Sequence, residues 1–87
     1  MSFSLDFSEQ SKKDIAYHKK TGNKIVLKKL LSLLEELAEH PFEGTGKPEA
    51  LKHQFSGFWS RRINREHRLV YQVIDDAVYI LSVKDHY

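Results

Sequence analysis

Apolar and polar residues alternate strictly at the start of the chain. Phe3, Leu5 and Phe7 are separated by a serine and an aspartate, and this period of two predicts a half-buried strand over residues 2–7. A polar helix is predicted over residues 8–19, because the serine that opens this segment can accept a hydrogen bond from the first helical turn.

The longest hydrophobic stripe lies between residues 24 and 39. Its apolar residues recur at steps of three and four, which predicts an amphipathic helix with one buried face. The members of this stripe are Leu27, Leu30, Leu31, Leu34, Leu37 and Ala38. Pro41 ends the helix because it biases the preceding residue away from helical angles. Residues 41–48 are then predicted to form an exposed loop rich in Gly and Pro.

Beyond this loop the hydrophobic period changes to two. Strands are predicted over residues 58–63, 68–74 and 78–84. The order β-α-α-β-β-β predicts an α+β domain in which an antiparallel sheet carries both helices on one face. The 87 residues are predicted to form a single domain, 1–87, since a domain usually takes roughly 100–200 residues.

The register of the last hairpin decides which strand residues share a face. A two-residue loop would mix apolar and polar residues on both faces, so a three-residue loop that opposes Ile74 to Val78 is favoured. One face then carries Leu69, Tyr71 and Val73 beside Val83, Leu81 and Tyr79. The other carries Arg68, Val70 and Gln72 beside Lys84, Ser82 and Ile80, and extrapolation brings Glu66 near His86.

The composition excludes several classes of function. The chain contains no cysteine, which removes disulfides, thiol nucleophiles and cysteine zinc sites. No apolar run approaches the roughly 20 residues of a membrane span, and residues 1–7 lack the pattern of a signal peptide. We therefore expect a soluble, cytoplasmic protein that does not contact a membrane.

Positive charge is concentrated in one part of the chain. The net charge is only +2, and residues 1–46 are neutral, but six basic and two acidic residues give residues 47–68 a charge of +4. The arginines all fall in this segment, at Arg61, Arg62, Arg65 and Arg68. Guanidinium groups suit bidentate phosphate recognition, with Trp59 as a stacking surface. The alternatives are solvated edge-strand charge and a Trp59 that belongs to the core.

Glu49 and His86 are candidates for proton transfer. Such a pair could promote attack of an RNA 2′-hydroxyl on its own 3′-phosphate, with a cation stabilising the charge on the phosphoryl oxygens. The alternatives are an ordinary surface carboxylate and a frayed terminus. Metal binding is not expected, because the histidines lack metal-helix spacing and Asp75-Asp76 suits a turn. His18 and His40 are interpreted as surface residues.

The second half of the chain resembles a known family. Between residues 41 and 87 the sequence reads GKPE, LKH, SGFWSRRI, EHRLVY and HY in order. This run resembles the YoeB toxin family, part of the RelE-like superfamily of bacterial toxin–antitoxin systems. Residues 1–40 agree with that family mainly in the order of their elements.

The resemblance implies a ribosome-dependent endoribonuclease that cuts messenger RNA in the A site and halts translation. The products would be a 2′,3′-cyclic phosphate and a 5′-hydroxyl, formed without a metal ion or other cofactor. A translation inhibitor that binds without cutting, and an inactive relative that acts only through its antitoxin and operator DNA, are the alternatives.

The resemblance also implies a role for individual residues. Glu49 would be the general base, His86 the general acid, and Arg68 the stabiliser of the transition-state phosphate. Tyr87 would orient the substrate or the acid. Lys52 and Arg62 would line the same cleft with supporting positive charge, and Glu66 would be a secondary acid beside it. Arg61 and Arg65 are expected to contact RNA or phosphate as members of the arginine group. Asp85 departs from the family, which often has an aromatic residue there, and it would either hold the His86 imidazole protonated or repel phosphate.

The partners that the resemblance implies are macromolecules. They are a cognate antitoxin similar to YefM with an acidic disordered tail, the 70S ribosome with its messenger RNA, and operator DNA reached through the antitoxin complex. A homodimer is also compatible with the family.

Overall fold

Five strands and two α-helices form the part of the chain that the computed structural model describes, residues 2–85. In chain order they are β1 Ser4–Phe7, α1 Glu9–Lys20, α2 Lys24–Glu39, β2 Glu49–Ala50, β3 Trp59–Arg62, β4 Arg68–Ile74 and β5 Ala77–Ser82. A short 3₁₀ helix, His53–Phe55, lies between β2 and β3. The predicted α+β class is confirmed, and β2 is an addition to the predicted strands.

The strands form one sheet in the order β1-β5-β4-β3-β2. Pairing is antiparallel from β2 through β5, but β1 lies parallel to β5. The prediction of a wholly antiparallel sheet is therefore wrong for its edge strand. Nearly the whole chain separates β1 from β5, so a parallel pair forms here without the tight turn that joins antiparallel neighbours.

The hydrophobic core lies between α2 and one face of the sheet. From α2 it takes Val26, Leu30, Leu33, Leu34 and Leu37, and from the sheet side it takes Ile63, Leu69, Tyr71, Val78, Ile80 and Val83. Ile15 of α1 packs against the same cluster but is only partly buried. Leu31, predicted in the buried stripe, is 59% exposed, whereas Leu33 is buried. No helix within residues 2–85 has both the length and the apolar content needed to cross a membrane.

Side-chain caps begin both helices. The Ser8 hydroxyl accepts the Ser11 backbone N–H at 3.0 Å, as the sequence predicted. In α2 the Asn23 side chain accepts the Val26 N–H at 3.2 Å. Each cap satisfies a donor that the helix itself leaves unpaired, and the two caps fix the residues at which the helices begin.

The hairpin between β4 and β5 has a two-residue loop, so the predicted register is wrong. Ile74 pairs with Ala77, and Asp75 takes a positive φ of 54°, which Asp tolerates better than most residues. A register shift between Val70 and Tyr71, where the partner changes from Ile80 to Ser82, adds one extra residue to β5. Consequently Val78 and Ile80, rather than Tyr79 and Leu81, face the core. The bulge keeps the two faces distinct, which is why a two-residue loop does not scramble them.

Candidate active site

The candidate base lies on the sheet face that points away from the helices. Glu49 pairs with Ser60, Ser60 with Val70, and Val70 with Ser82. Cross-strand partners share a face, so these residues form one row across four strands. Their chain neighbours Leu69 and Tyr71 belong to the helix-packed core, and successive strand residues point to opposite faces.

Two arginines form the next row on this face. Arg62 pairs directly with Arg68, and the Arg68 Nη1 donates to the Ser60 hydroxyl at 3.1 Å. Like charges opposite each other on neighbouring strands are unfavourable, and an anion between them would relieve the repulsion. A small cleft beside the pair is lined by Glu49, Leu51, Ser60, Arg68 and Val70. We call this the arginine cleft.

Backbone pairing, rather than side-chain contacts, positions Glu49. β2 is only two residues long, and it is extended by the hydrogen bond from the Leu51 N–H to the Phe58 carbonyl at 2.9 Å. Glu49 is exposed, and within residues 2–85 its carboxylate takes part in no hydrogen bond or ion pair. The carboxylate is therefore fixed at the cleft by its strand yet chemically uncommitted.

The remaining charged candidates lie in two places, one after β2 and the other in the turn between β3 and β4. Lys52 is exposed three residues after Glu49, and both line a surface recess. Arg65 and Glu66 are exposed in the turn between β3 and β4. In that turn the Asn64 side chain accepts the N–H groups of Glu66 and His67 at 2.9 and 2.8 Å. The turn joins Arg62 to Arg68, so its two charges lie at the end of the arginine row.

Arg61 lies on the opposite face, and the prediction that it contacts phosphate is wrong. It pairs with the core residue Leu69 and is 0% exposed. Its guanidinium donates to the Glu36 carboxylate at 2.6 Å, to the carbonyl oxygens of His40, Glu43 and Thr45 at 2.5, 2.8 and 3.3 Å, and to the Tyr71 hydroxyl at 3.3 Å. The period of two would have separated Arg61 from Arg62.

The loop that precedes β2 is folded around this guanidinium. The Tyr71 hydroxyl donates to the Pro41 carbonyl at 2.6 Å, and the Arg62 N–H donates to the Gly46 carbonyl at 2.7 Å. Burial raises the pKa of the Tyr71 hydroxyl, an effect that Arg61 partly offsets, so Tyr71 remains a donor. Gly46 has a φ of 85°, and a Cβ there would lie 2.9 Å from the Arg62 carbonyl oxygen. These contacts fix the approach to Glu49.

Trp59 belongs to the helix side of the sheet. It is partly buried against the core, and its ring centroid lies 5.2 Å from that of Phe42. The core interpretation of Trp59 is therefore confirmed, and the indole does not face the arginine cleft.

Glu36 should make this loop sensitive to acid. Burial alone would raise the pKa of its carboxyl, but hydrogen bonds from the side chain and backbone of Thr45 and from Arg61 outweigh burial and lower it. A lowered folded-state pKa gives stability that is present above the ordinary value of 4.5 and is lost as the pH falls through the folded value. Glu36→Gln should thus lower the free energy of unfolding by about 1–2 kcal/mol near neutral pH.

Urea unfolding of both proteins across the acid range measures this effect. The difference between Glu36→Gln and the wild type should shrink as the pH falls. Glu39→Gln, on the exposed side of the same helix, is the matched control and should change little. A Glu36→Gln deficit that stays constant down to acid pH would contradict the assignment.

The last described residues lie beside the first residue of β4. Asp85 accepts the Arg68 N–H through its carbonyl at 2.8 Å and donates its own N–H to the His67 Nδ1 at 2.9 Å. The Asp85 carboxylate accepts a hydrogen bond from the Lys84 ammonium at 3.1 Å, and this bond and charge raise the pKa of Lys84. His86 and Tyr87, and the predicted approach of Glu66 to His86, lie outside the described residues.

Two histidines differ in their environments. His40 is exposed, as predicted, but the expectation that His18 lies at the surface is wrong, since it is 0% exposed. The polar side of α1 that carries His18 is packed against the end of β5. Within residues 2–85, no three His, Cys, Asp or Glu side chains are grouped as a metal ion would require.

Comparison with known proteins agrees with this fold. Residues 7–87 match the YoeB-like toxin family of bacterial type II toxin–antitoxin systems. The chain is 52% identical over 83 residues to Toxin YoeB of Escherichia coli strain K12, covering 95% of this chain and 98% of that protein. The structure of a YoeB dimer from Staphylococcus aureus is 42% identical, with a TM-score of 0.87 and full coverage of both chains. A YoeB–YefM complex from the same organism is 43% identical, with a TM-score of 0.86 and full coverage of both chains.

An α+β domain with these likenesses is a toxin of a bacterial type II toxin–antitoxin system. Within that class, the chain belongs to the YoeB-like toxin family. The resemblance in the sequence motifs of residues 41–87 is thereby confirmed, and it extends over nearly the whole chain.

Proposed function

We propose that this toxin is a ribosome-dependent endoribonuclease that cleaves messenger RNA in the A site and so stops translation. The observation that carries the proposal is the arginine cleft. There an uncommitted carboxylate, Glu49, shares one sheet face with the opposed pair Arg62 and Arg68. A base beside a pair of phosphate-binding cations is what transfer of a phosphoryl group to a neighbouring hydroxyl requires.

In the proposed reaction, Glu49 removes the proton from a ribose 2′-hydroxyl. The 2′-oxygen attacks the adjacent phosphorus, and Arg68 stabilises the negative charge that gathers on the phosphoryl oxygens. The bond from phosphorus to the 5′-oxygen breaks, and His86 gives that oxygen a proton while Tyr87 orients the reacting groups. The products are a 2′,3′-cyclic phosphate and a 5′-hydroxyl, and no step uses a metal ion.

The structure supports this division of roles through what holds each side chain. Ser60 is 1% exposed and accepts from Arg68 at 3.1 Å, so it fixes the guanidinium without neutralising its charge. Arg62 is exposed and is available to a second phosphate oxygen. Lys52, Arg65 and Glu66 extend the charged surface around the cleft, where they would contact the RNA backbone.

The arginine cleft is small and open, so it offers little surface to hold an RNA strand by itself. This favours a substrate that a second macromolecule holds in position. A net charge of +2 is too low for tight binding of free RNA. We therefore assign the ribosome the task of holding the messenger RNA. As partners we propose an antitoxin similar to YefM with an acidic disordered tail, operator DNA bound through that complex, and a second copy of this chain. The proposed location is the cytoplasm, with residues 1–87 acting as one domain.

Primer extension on a message translated in vitro tests this function. The wild type should produce new 5′ ends within codons of the translated frame, and none when initiation is blocked. Arg68→Ala should lower the cleavage rate by about 10²- to 10³-fold, since it removes charge stabilisation from the transition state. Lys28→Ala, an equal loss of charge on exposed α2, is the control and should cleave normally. Arrested translation on an intact message would instead identify a non-cleaving inhibitor.

A further inference from the structure

Helix α1 buries polar residues where an apolar face would be expected. Asp14 is 4% exposed and His18 is 0% exposed, and they lie four residues apart on one side of the helix. The Asp14 Oδ2 accepts the Val83 N–H at 3.0 Å, and the His18 Nε2 is 2.8 Å from the Val83 carbonyl oxygen. One turn of α1 thus holds both backbone polar groups of Val83, the residue that follows β5.

The next fixed point is Asp85, two residues further on. Its N–H donates to the His67 Nδ1 at 2.9 Å, and its carbonyl accepts the Arg68 N–H at 2.8 Å. An Nδ1 that accepts belongs to a neutral imidazole with its proton on Nε2. The rings of His67 and His18 are in edge contact, with centroids 4.8 Å apart.

The buried polar side chains of Asp14 and His18 hold the backbone in one position but contribute less to the stability of the fold than apolar side chains would. A buried carboxylate and a buried imidazole stabilise a small core less than leucines of similar size would. The Asp14 carboxylate also accepts from Gln10 at 2.8 Å, so its second oxygen is satisfied as well. Such a set of directed bonds is useful where a stretch of backbone must be held in one position.

We propose that Asp14, His18 and His67 form a clamp that fixes residues 83–85 beside Arg68, and that the reaction depends on this fixed segment because it leads into His86 and Tyr87. The proposal rests on the proposed function, in which those two residues act in the reaction. The clamped segment, residues 83–85, ends on a hydrogen bond to the backbone of Arg68, whose side chain lies in the cleft. The residue before His86 and the phosphate-binding residue Arg68 are thereby joined at the start of β4. Asp14, His18 and His67 are positioning residues and do not touch the substrate.

A reciprocal exchange of Asn and Gln tests the clamp. Asn places its amide near the Nδ1 of histidine, and Gln places its amide near Nε2. The clamp uses Nδ1 of His67 but Nε2 of His18. We therefore expect His67→Asn and His18→Gln to retain function, whereas His67→Gln and His18→Asn lose it. If the two histidines acted through packing alone, the same amide, either Asn or Gln, would retain more function at both positions 18 and 67.

The first measurement is the order of residues 83–85 in the isolated toxin. The ¹⁵N heteronuclear NOE of these amides should fall in His67→Gln and His18→Asn and stay at the wild-type value in their partners. The second is single-turnover cleavage on programmed ribosomes. In the two disruptive variants the maximal rate should fall by about 10- to 100-fold, as expected for a misplaced catalytic group. The ribosome concentration at half-maximal rate should not change.

Each result either supports or overturns the clamp. Wild-type order and wild-type rates in both disruptive variants overturn it, as does the same ranking of Asn and Gln at the two positions. A wild type that does not cleave refutes the proposed function, and the NOE pattern then decides the clamp by itself. Should a histidine variant fail to fold, Asp14→Asn against Asp14→Val repeats the comparison, because only Asn retains an oxygen for the Val83 N–H.

Discussion

Replacing Glu49 with glutamine is expected to slow cleavage of ribosome-bound messenger RNA by about 10²- to 10⁴-fold, the usual contribution of a general base. Glutamine has nearly the same shape but cannot accept the 2′-hydroxyl proton. β2 should remain in place because its pairing with Ser60 runs through the backbone. The carboxylate has no partner within residues 2–85, so its loss should leave the free energy of unfolding within about 0.5 kcal/mol of the wild type.

Two measurements together make this result specific. Primer extension gives the cleavage rate, and urea unfolding shows that the variant is folded. Glu39→Gln removes an exposed carboxylate of α2 and should match the wild type in both. If Glu49→Gln cleaved at the wild-type rate, Glu49 could not be the general base. Loss of cleavage together with a large loss of stability would show that the carboxylate supports the fold instead.

The helices of this toxin could be predicted closely because their signals are local. The predicted segments 8–19 and 24–39 correspond to Glu9–Lys20 and Lys24–Glu39. Caps, a hydrophobic period and a terminating proline all act within a few residues. The order of elements and the α+β class follow from the same signals.

The sheet was predicted less well because its pairing depends on distant residues. Parallel pairing of β1 with β5 joins the two ends of the chain, which no local pattern records. The register of the hairpin failed because residues 78–81 are all apolar, so the sequence could not show which two face the core. The bulge between Val70 and Tyr71 decides that choice.

The site illustrates the same division between local and distant information. Period-two alternation relates Arg62 to Ser60 but cannot bring Glu49 beside them, because β2 is two residues long and its position is set by the loop before it. Its sequence context made Glu49 a candidate for proton transfer, and the family resemblance added the specific role of Arg68. His18 was missed because a polar residue on a polar helix resembles a surface residue until its backbone partner at Val83 is known.

Arg61→Met should produce the largest loss of stability of any single substitution considered, about 3–5 kcal/mol, the range measured when one partner of a buried ion pair is removed. Methionine fills the space of the alkyl stem but provides no donor. It would leave the Glu36 carboxylate with only its hydrogen bonds from Thr45 and deprive the carbonyl oxygens of His40 and Glu43 of the guanidinium donor. For a domain this small, such a loss is a large part of the total stability.

Two further variants separate charge from geometry. Arg61→Lys keeps the positive charge but has a single nitrogen, which cannot reach Glu36 and the carbonyl oxygens of His40 and Glu43 together, so its loss should be intermediate. The double variant Arg61→Met with Glu36→Gln should be more stable than the sum of the single losses predicts, since it no longer leaves a negative charge without its guanidinium partner. Urea unfolding at neutral pH gives all the values needed.

The rate of cleavage should fall when the loop of residues 41–48 is destabilised, because this loop leads directly into β2 and so positions Glu49. In Arg61→Lys, which remains folded, a slower reaction with normal binding to the ribosome is the expected result, since Arg61 lies on the helix face and cannot contact RNA. If Arg61→Lys instead bound ribosomes weakly while keeping wild-type stability, Arg61 would have to contact RNA after all. Such a result is incompatible with a guanidinium that is fully buried beneath the loop.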